Sequence, residues 1–237
     1  MKIIFKTLKE KWPEYFLEIL VITLGILGAL LLNNWNDGRK ARNVQKKTME
    51  RMIDDMESDI ERYEFLNRRF DVRIGKCDSV LQLIQTQKTL DDRLGIIAVE
   101  LVSLYLVEAH TTTYEEMLNT SRIYSLKNGR LRWRIINYYK NINKWSTYIE
   151  KDNDQLRERM ISPGLNDYWS IQQALWNDVP IDPKKYPWLN QELSNELNEI
   201  EHLIYQIKYT FEGNKSAIGT LSAISENLLK DLKRVYE

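Results

Sequence analysis

Between Tyr15 and Leu32 the chain reads YFLEILVITLGILGALLL, 18 residues with one charge, Glu18, and a single threonine, Thr23. That stretch constrains the fold more than any other feature. An α-helix rises 1.5 Å per residue, so about 20 apolar residues cross the roughly 30 Å hydrocarbon core of a bilayer. Trp12 and Tyr15 flank one end and Trp35 the other, where amphipathic rings favour the interface. Asn33, Asn34, Asn36 and Asp37 close the segment. A cleaved signal peptide has a shorter apolar region ending in small residues, and Leu31-Leu32-Asn33-Asn34-Trp35 does not fit one. The expectation is a retained single span, with residues 1–12 a short basic tail, 13–36 a transmembrane helix and 37–237 a helical soluble domain.

Basic residues lie on both sides of the span. Lys2, Lys6, Lys9 and Lys11 precede it; Arg39, Lys40, Arg42, Lys46 and Lys47 follow it. The positive-inside rule therefore does not separate the two orientations. A short basic tail left in the cytoplasm is the simplest insertion product. It puts the chain in a bacterial inner membrane with its domain on the periplasmic side. Glu18 has two readings: an intramembrane ion or proton site, or a shallow carboxylate that snorkels to the interface or pairs in an oligomer. Gly25, Gly28 and Ala29 form a small-residue face, with Gly25 and Ala29 four apart, the spacing used for close helix approach in lipid.

Beyond the span the apolar residues step by three or four: Met49, Met52, Met56, Ile60, Tyr63, Leu66, Phe70, Ile74, Cys77, Leu81 and Ile84. The spacing predicts one long helix to about residue 87, with Gly38 and Gly75 as points of possible interruption. Glu50, Arg51, Asp54, Asp55, Glu57, Asp59, Glu61, Arg62 and Arg68 read as its solvated face. The stripe fits either a coiled coil between copies or packing on later helices of the same chain. A second helix begins at Asp91-Asp92 and carries Leu94, Ile97, Leu101, Leu104 and Tyr105. Thr113 and Glu116 resemble a capping box for a short helix to Asn119. Ser121 to Leu126 is another short piece, and Asn128-Gly129 is a turn. A long helix runs from Arg130 to about Ile161, a short one from Leu165 to Trp176, and Pro180, Pro183 and Pro187 mark a stiff loop. Two last helices are expected near 189–212 and 214–236, parted at Gly213-Asn214. Only 9 glycines and 5 prolines occur in 237 residues, and no strand pattern or repeat is visible, so the fold class is all-α, an irregular antiparallel helical bundle.

Chemistry-bearing patterns are sparse. The two histidines, His110 and His202, match no zinc spacing with the single cysteine, Cys77, which lies on the apolar stripe as a small hydrophobe. No glycine loop for phosphate occurs, and Glu100, Glu108, Glu115 and Glu116 carry no acid–base pairing cue. The sequence calls for no cofactor, no metal and no enzymatic activity. Arg130 to Lys140 interleaves basic and aromatic residues, but at helical spacing that sends half the aromatics inward. With 34 basic and 34 acidic residues the net charge is zero, which argues against a nucleic-acid partner.

The stretch Glu18 to Asn36, ending Asn33-Asn34-Trp35-Asn36, resembles uncharacterised single-span membrane proteins of Bacteroidetes-type bacteria, a domain of unknown function. Thr113-Tyr114-Glu115-Glu116-Met117-Leu118 and Leu131 to Tyr139 resemble two further boxes of that family. The chain departs from it at Glu14-Tyr15-Phe16-Leu17, where Ile-Gly usually precedes Glu, and at Leu31-Leu32, where Gln is common. The resemblance implies an anchored helical domain and no activity. The function expected is an interaction or scaffold subunit of a homo- or hetero-oligomeric membrane complex. Its contacts would be Glu18, Gly25, Gly28, Ala29, Asn33, Asn34, Trp35 and Asn36, with the lipid bilayer and a second copy or another membrane protein as partners. The alternatives are a homo-oligomeric pore or ion-coupled element built on Glu18, and a single-span sensor with a ligand-binding bundle.

Overall fold

The computed structural model describes residues 12–86, 90–98, 104–191 and 194–236. Residues 1–11 of the expected basic tail, Glu100 and Leu101 lie outside them. The protein is all-α, with no strand among the described residues. Its helices are α1 (Trp12–Thr86), α2 (Leu90–Ala98), α3 (Thr112–Asn119), α4 (Arg122–Ser125), α5 (Gly129–Met160), α6 (Asn166–Trp176) and α7 (Asn195–Tyr236). Short 3-10 turns occupy Pro163–Leu165 and Pro187–Asn190. The chain divides into two compact units, Met1–Arg51 and Met52–Glu237.

The described part of the first unit is helix throughout. Pro13 sits in the first turn, where its missing N–H is one that no helical carbonyl would have accepted. An 18-residue stretch of this helix is apolar and long enough to cross a membrane, and none of it is buried within the protein. Leu31 and Leu32 are each 69% exposed.

In the second unit three long segments form the core: residues 52–86 of α1, α5 and α7. Their directions follow from cross-helix pairs. Glu57 meets Lys233, Asp71 meets Lys215 and Asp78 meets Lys208, so α7 runs antiparallel to this part of α1. Arg134 meets Asp231, Asn153 meets Asn214 and Arg159 meets Glu199, so α7 is also antiparallel to α5. Exposed ion pairs contribute little individually. The binding force is burial of Met52, Met56, Leu66 and Phe70 from α1, Ile135, Ile142 and Ile149 from α5, and Leu203, Ile207, Phe211, Ile218 and Leu228 from α7. Phe70 packs edge-on against Tyr105 at 5.7 Å and tilts against Phe211 at 5.8 Å. The short α2 packs against α6 and the Pro187–Asn190 turn.

Several expectations need correction. The second helix is described over Leu90–Ala98, and Leu104 and Tyr105, expected on it, belong to a stretch to Thr111 that is irregular chain. Its backbone finds partners outside a helix: the Tyr105 carbonyl accepts from Asn153 Nδ2 and the Val107 carbonyl from Ser146 Oγ, both on α5. The C-terminal region is one helix of 42 residues, not two. Gly213-Asn214 does not break it, because both residues serve the α5 contact. A Cβ on Gly213 would lie 3.2 Å from Tyr148 Oη, and fully buried Asn214 donates to Asn153 Oδ1 at 3.1 Å. Likewise α1 passes through Gly38 and Gly75 without interruption. The capping box at Thr113 and Glu116 does not form: α3 has no side-chain cap, Thr113 donates to Asp55 instead, and Glu116 accepts from Arg122. Asn128 is the N-cap of α5, accepting from the Leu131 N–H at 3.1 Å.

Candidate functional site

The span residues singled out from the sequence lie on one continuous helix. Glu18 is exposed and pairs with no described residue. A Cβ on Gly25 or Gly28 would meet nothing within 4 Å, and Ala29 is exposed, so this face is open for a neighbouring helix or lipid chains. Past the apolar stretch the polar residues are linked along the helix. Asn33 Nδ2 donates to Asp37 Oδ2 at 3.2 Å, Asn36 Oδ1 accepts from Arg39 at 3.5 Å, and the Arg39 guanidinium lies 5.5 Å over the Trp35 ring. Asn34 is exposed. The amides and the Trp35 ring thus hold Arg39 and Asp37 close to the helix at the end of the apolar stretch, where a polar and aromatic collar suits an interface.

The second unit holds a polar cluster that the sequence reading missed. Asp59, expected on the solvated face, is 1% exposed. Its Oδ1 accepts from the His110 backbone N–H at 3.0 Å and lies 2.8 Å from His110 Nδ1; its Oδ2 accepts from the Tyr138 hydroxyl at 3.1 Å. A carboxylate oxygen can only accept here, so the Nδ1 contact is made with the proton on the ring nitrogen. Ser225 Oγ lies 3.2 Å from Tyr138 Oη. One turn before Asp59, Asp55 accepts from the Thr113 hydroxyl, and Tyr139 stacks on Tyr114 with ring centres 4.0 Å apart. Burial first, then neighbouring charge or phenol, raises the pKa of Tyr63, Tyr138 and Tyr139. The cluster pins the irregular segment 104–111 and α3 onto α1 and α5.

The signal for it was in the spacing. Met52, Met56, Asp59, Tyr63, Leu66, Phe70, Arg73, Cys77, Val80 and Ile84 follow an alternating four–three step, and all are buried. Apolar neighbours Ile60 and Ile74 drew attention from Asp59 and Arg73, which occupy the seam. Cys77 is fully buried as expected, and burial first pushes its thiol up to about 12. In the basic–aromatic stretch Tyr138 and Tyr139 are buried, Trp133 is 63% exposed and Arg134 pairs with Asp231. No group of three or more potential metal ligands occurs among the described residues.

A groove runs between α5 and α7. One cleft of about 550 Å³ is lined by Arg159, His202, Tyr205, Gln206 and Tyr209. A second, of about 200 Å³, is lined by Asp152, Gln155, Leu156, Gln206, Tyr209 and Thr210. The two share Gln206 and Tyr209, so they form one trough. Tyr148 stands beside it, where its hydrogen bond to Asp152 raises its pKa. Of these lining residues only His202 stands out in the sequence, and as an isolated residue. Comparison of the chain with protein-family models, with curated proteins and with solved structures finds no match.

Proposed function

We propose that this is a single-pass protein of a bacterial inner membrane whose helical unit is an interaction or scaffold module in a homo- or hetero-oligomeric membrane complex. One observation supports the reading above the others: an apolar stretch long enough to cross a bilayer has none of its length buried by the rest of the chain. An uncovered apolar surface of that size marks a membrane or protein contact, because leaving it in water costs about 25 cal/mol per Å². The open face at Gly25, Gly28 and Ala29 gives a second helix room to approach. The Asn33 to Asn36 collar suits one interface, and Trp12 and Tyr15 suit the other. On this reading the helical unit lies on the periplasmic side. The resemblance to single-span proteins of unknown function points the same way. Nothing in the reading requires catalysis or a cofactor.

The test is purification of the tagged full-length protein in mild detergent, with measurement of the complex's protein mass. The expected result is a discrete complex heavier than one 28.3 kDa chain, lost or reduced by Gly25→Leu together with Gly28→Leu. A strictly monomeric protein at every concentration would remove the oligomeric part of the proposal.

A further inference from the structure

The trough between α5 and α7 has a lining of a particular kind. Its apolar contact area comes from tyrosine rings, since the one aliphatic residue, Leu156, is only 3% exposed. Tyr209 is 74% exposed and Tyr205 47%. They stand four apart on α7, so they share one face of the helix with their Cα atoms roughly 6 Å apart along the axis, and both line the trough. Between and opposite them are the planar amides of Gln206 and Gln155, the Asp152 carboxylate and the Thr210 hydroxyl. The single arginine, Arg159, is held by Glu199 and Asp152 adds one negative charge, so the lining holds no lysine and no arginine without a carboxylate partner; His202 adds an imidazole, a further hydrogen-bonding group for a hydroxyl.

From this we infer that the trough binds an uncharged oligosaccharide. A sugar ring presents an apolar face of C–H bonds and a rim of hydroxyls. The first stacks on an exposed aromatic ring; the second needs donors and acceptors together, which Gln supplies from one side chain. Two exposed aromatic side chains one helical turn apart offer successive stacking faces along an extended chain of sugars. The competing ligands fit less well. A helical peptide needs apolar sockets at i, i+3, i+4 and i+7, and the trough offers no open aliphatic socket. A nucleotide or other phosphate needs free cationic donors, and Arg159 is engaged. This inference is independent of the membrane assignment.

The experiment uses the full-length protein in phosphatidylcholine nanodiscs, which avoids sugar-headed detergents. The probes are tetrasaccharides of glucose, N-acetylglucosamine, galactose and mannose in α and β linkages, with tetra-alanine and adenosine monophosphate beside them. Saturation-transfer NMR reads binding. The expected result is saturable binding of at least one tetrasaccharide. Tyr205→Ala with Tyr209→Ala should weaken it about tenfold or more, and Gln206→Ala by a smaller factor. Tyr124→Ala, which truncates an exposed tyrosine on α4, should leave it unchanged. Both groove tyrosines are exposed, and unchanged circular dichroism would show that the double variant is folded. Absence of binding across the panel at roughly 10 mM, a Kd corresponding to under about 3 kcal/mol, would overturn the inference. Sugar binding insensitive to the double variant, or peptide or nucleotide binding abolished by it, would also overturn it.

Discussion

Asp59 shows how one side chain organises its surroundings. Its two oxygens take three contacts from two separate parts of the chain, at His110 and Tyr138. Removing the carboxylate leaves the His110 backbone N–H and the buried Tyr138 phenol without their acceptor, while the exposed His110 ring turns to water. Asp59→Ala should therefore lower unfolding stability by about 3 kcal/mol, read as a shift in the urea midpoint. Asp54→Ala, on the exposed side of the same helix, should change it by less than about 0.5 kcal/mol. Equal effects at the two positions would show that the cluster does not stabilise the fold. The stripe in the sequence located this seam, but ranking residues by apolarity moved the seam onto Ile60 and Ile74. A charge in a heptad core position becomes recognisable only when spacing is weighed above residue type. Its partner His110 lies 51 positions further on, joined to it by no periodicity at all.

At the scale of elements, glycine carries two meanings that sequence does not separate. Gly213 and Gly219 both lie inside α7. A Cβ at Gly219 meets nothing within 4 Å, whereas one at Gly213 meets Tyr148 Oη at 3.2 Å. Gly219→Ala should raise stability by roughly 0.5–1 kcal/mol, because alanine loses less backbone entropy on entering a helix. Gly213→Ala should gain less or lose stability, because Tyr148 must move, and a gain equal to that at Gly219 would show that the α5–α7 approach is loose. Asn128→Ala removes the N-cap of α5 and should cost about 1 kcal/mol by the same urea measurement. The long helices were legible from their period. The irregular course of 104–111 and the unity of α7 were not, because both depend on contacts with α5: the side chains Asn153 and Ser146 that hold segment 104–111 in one case, and the close packing at Gly213 in the other.

For the whole molecule, the buried acids point to alkaline lability. Tyr63, Tyr138, Tyr139, Tyr168 and Cys77 all hold their protons more tightly in the folded state, chiefly through burial; Tyr168 and Cys77 are each pushed up to about 12, from 10.0 and 9.0. The unfolded chain releases these protons first, so it binds fewer protons than the native state and stability falls as pH rises. Stability should be flat with respect to these groups below about pH 9 and drop steeply from there to about 12, followed by thermal melts across that range. A stability unchanged up to pH 12 would contradict the burial of the tyrosines.

The all-α class and the apolar segment were both readable from the sequence. The trough between α5 and α7 was not, because its two walls are about 50 residues apart in the chain and each looks like an ordinary helix surface. The proposed function stands or falls on whether Tyr15–Leu32 lies in a bilayer. The direct measurement is fractionation of cells expressing the full-length protein, with the membranes washed in high salt and then urea without detergent. The protein should stay with the membranes through both washes. Leu24→Lys with Leu27→Lys, each costing roughly 3 kcal/mol at the middle of the span, should shift it to the soluble fraction. Unaltered protein that washes free into solution, or a double lysine variant that stays membrane-bound, would contradict the claim.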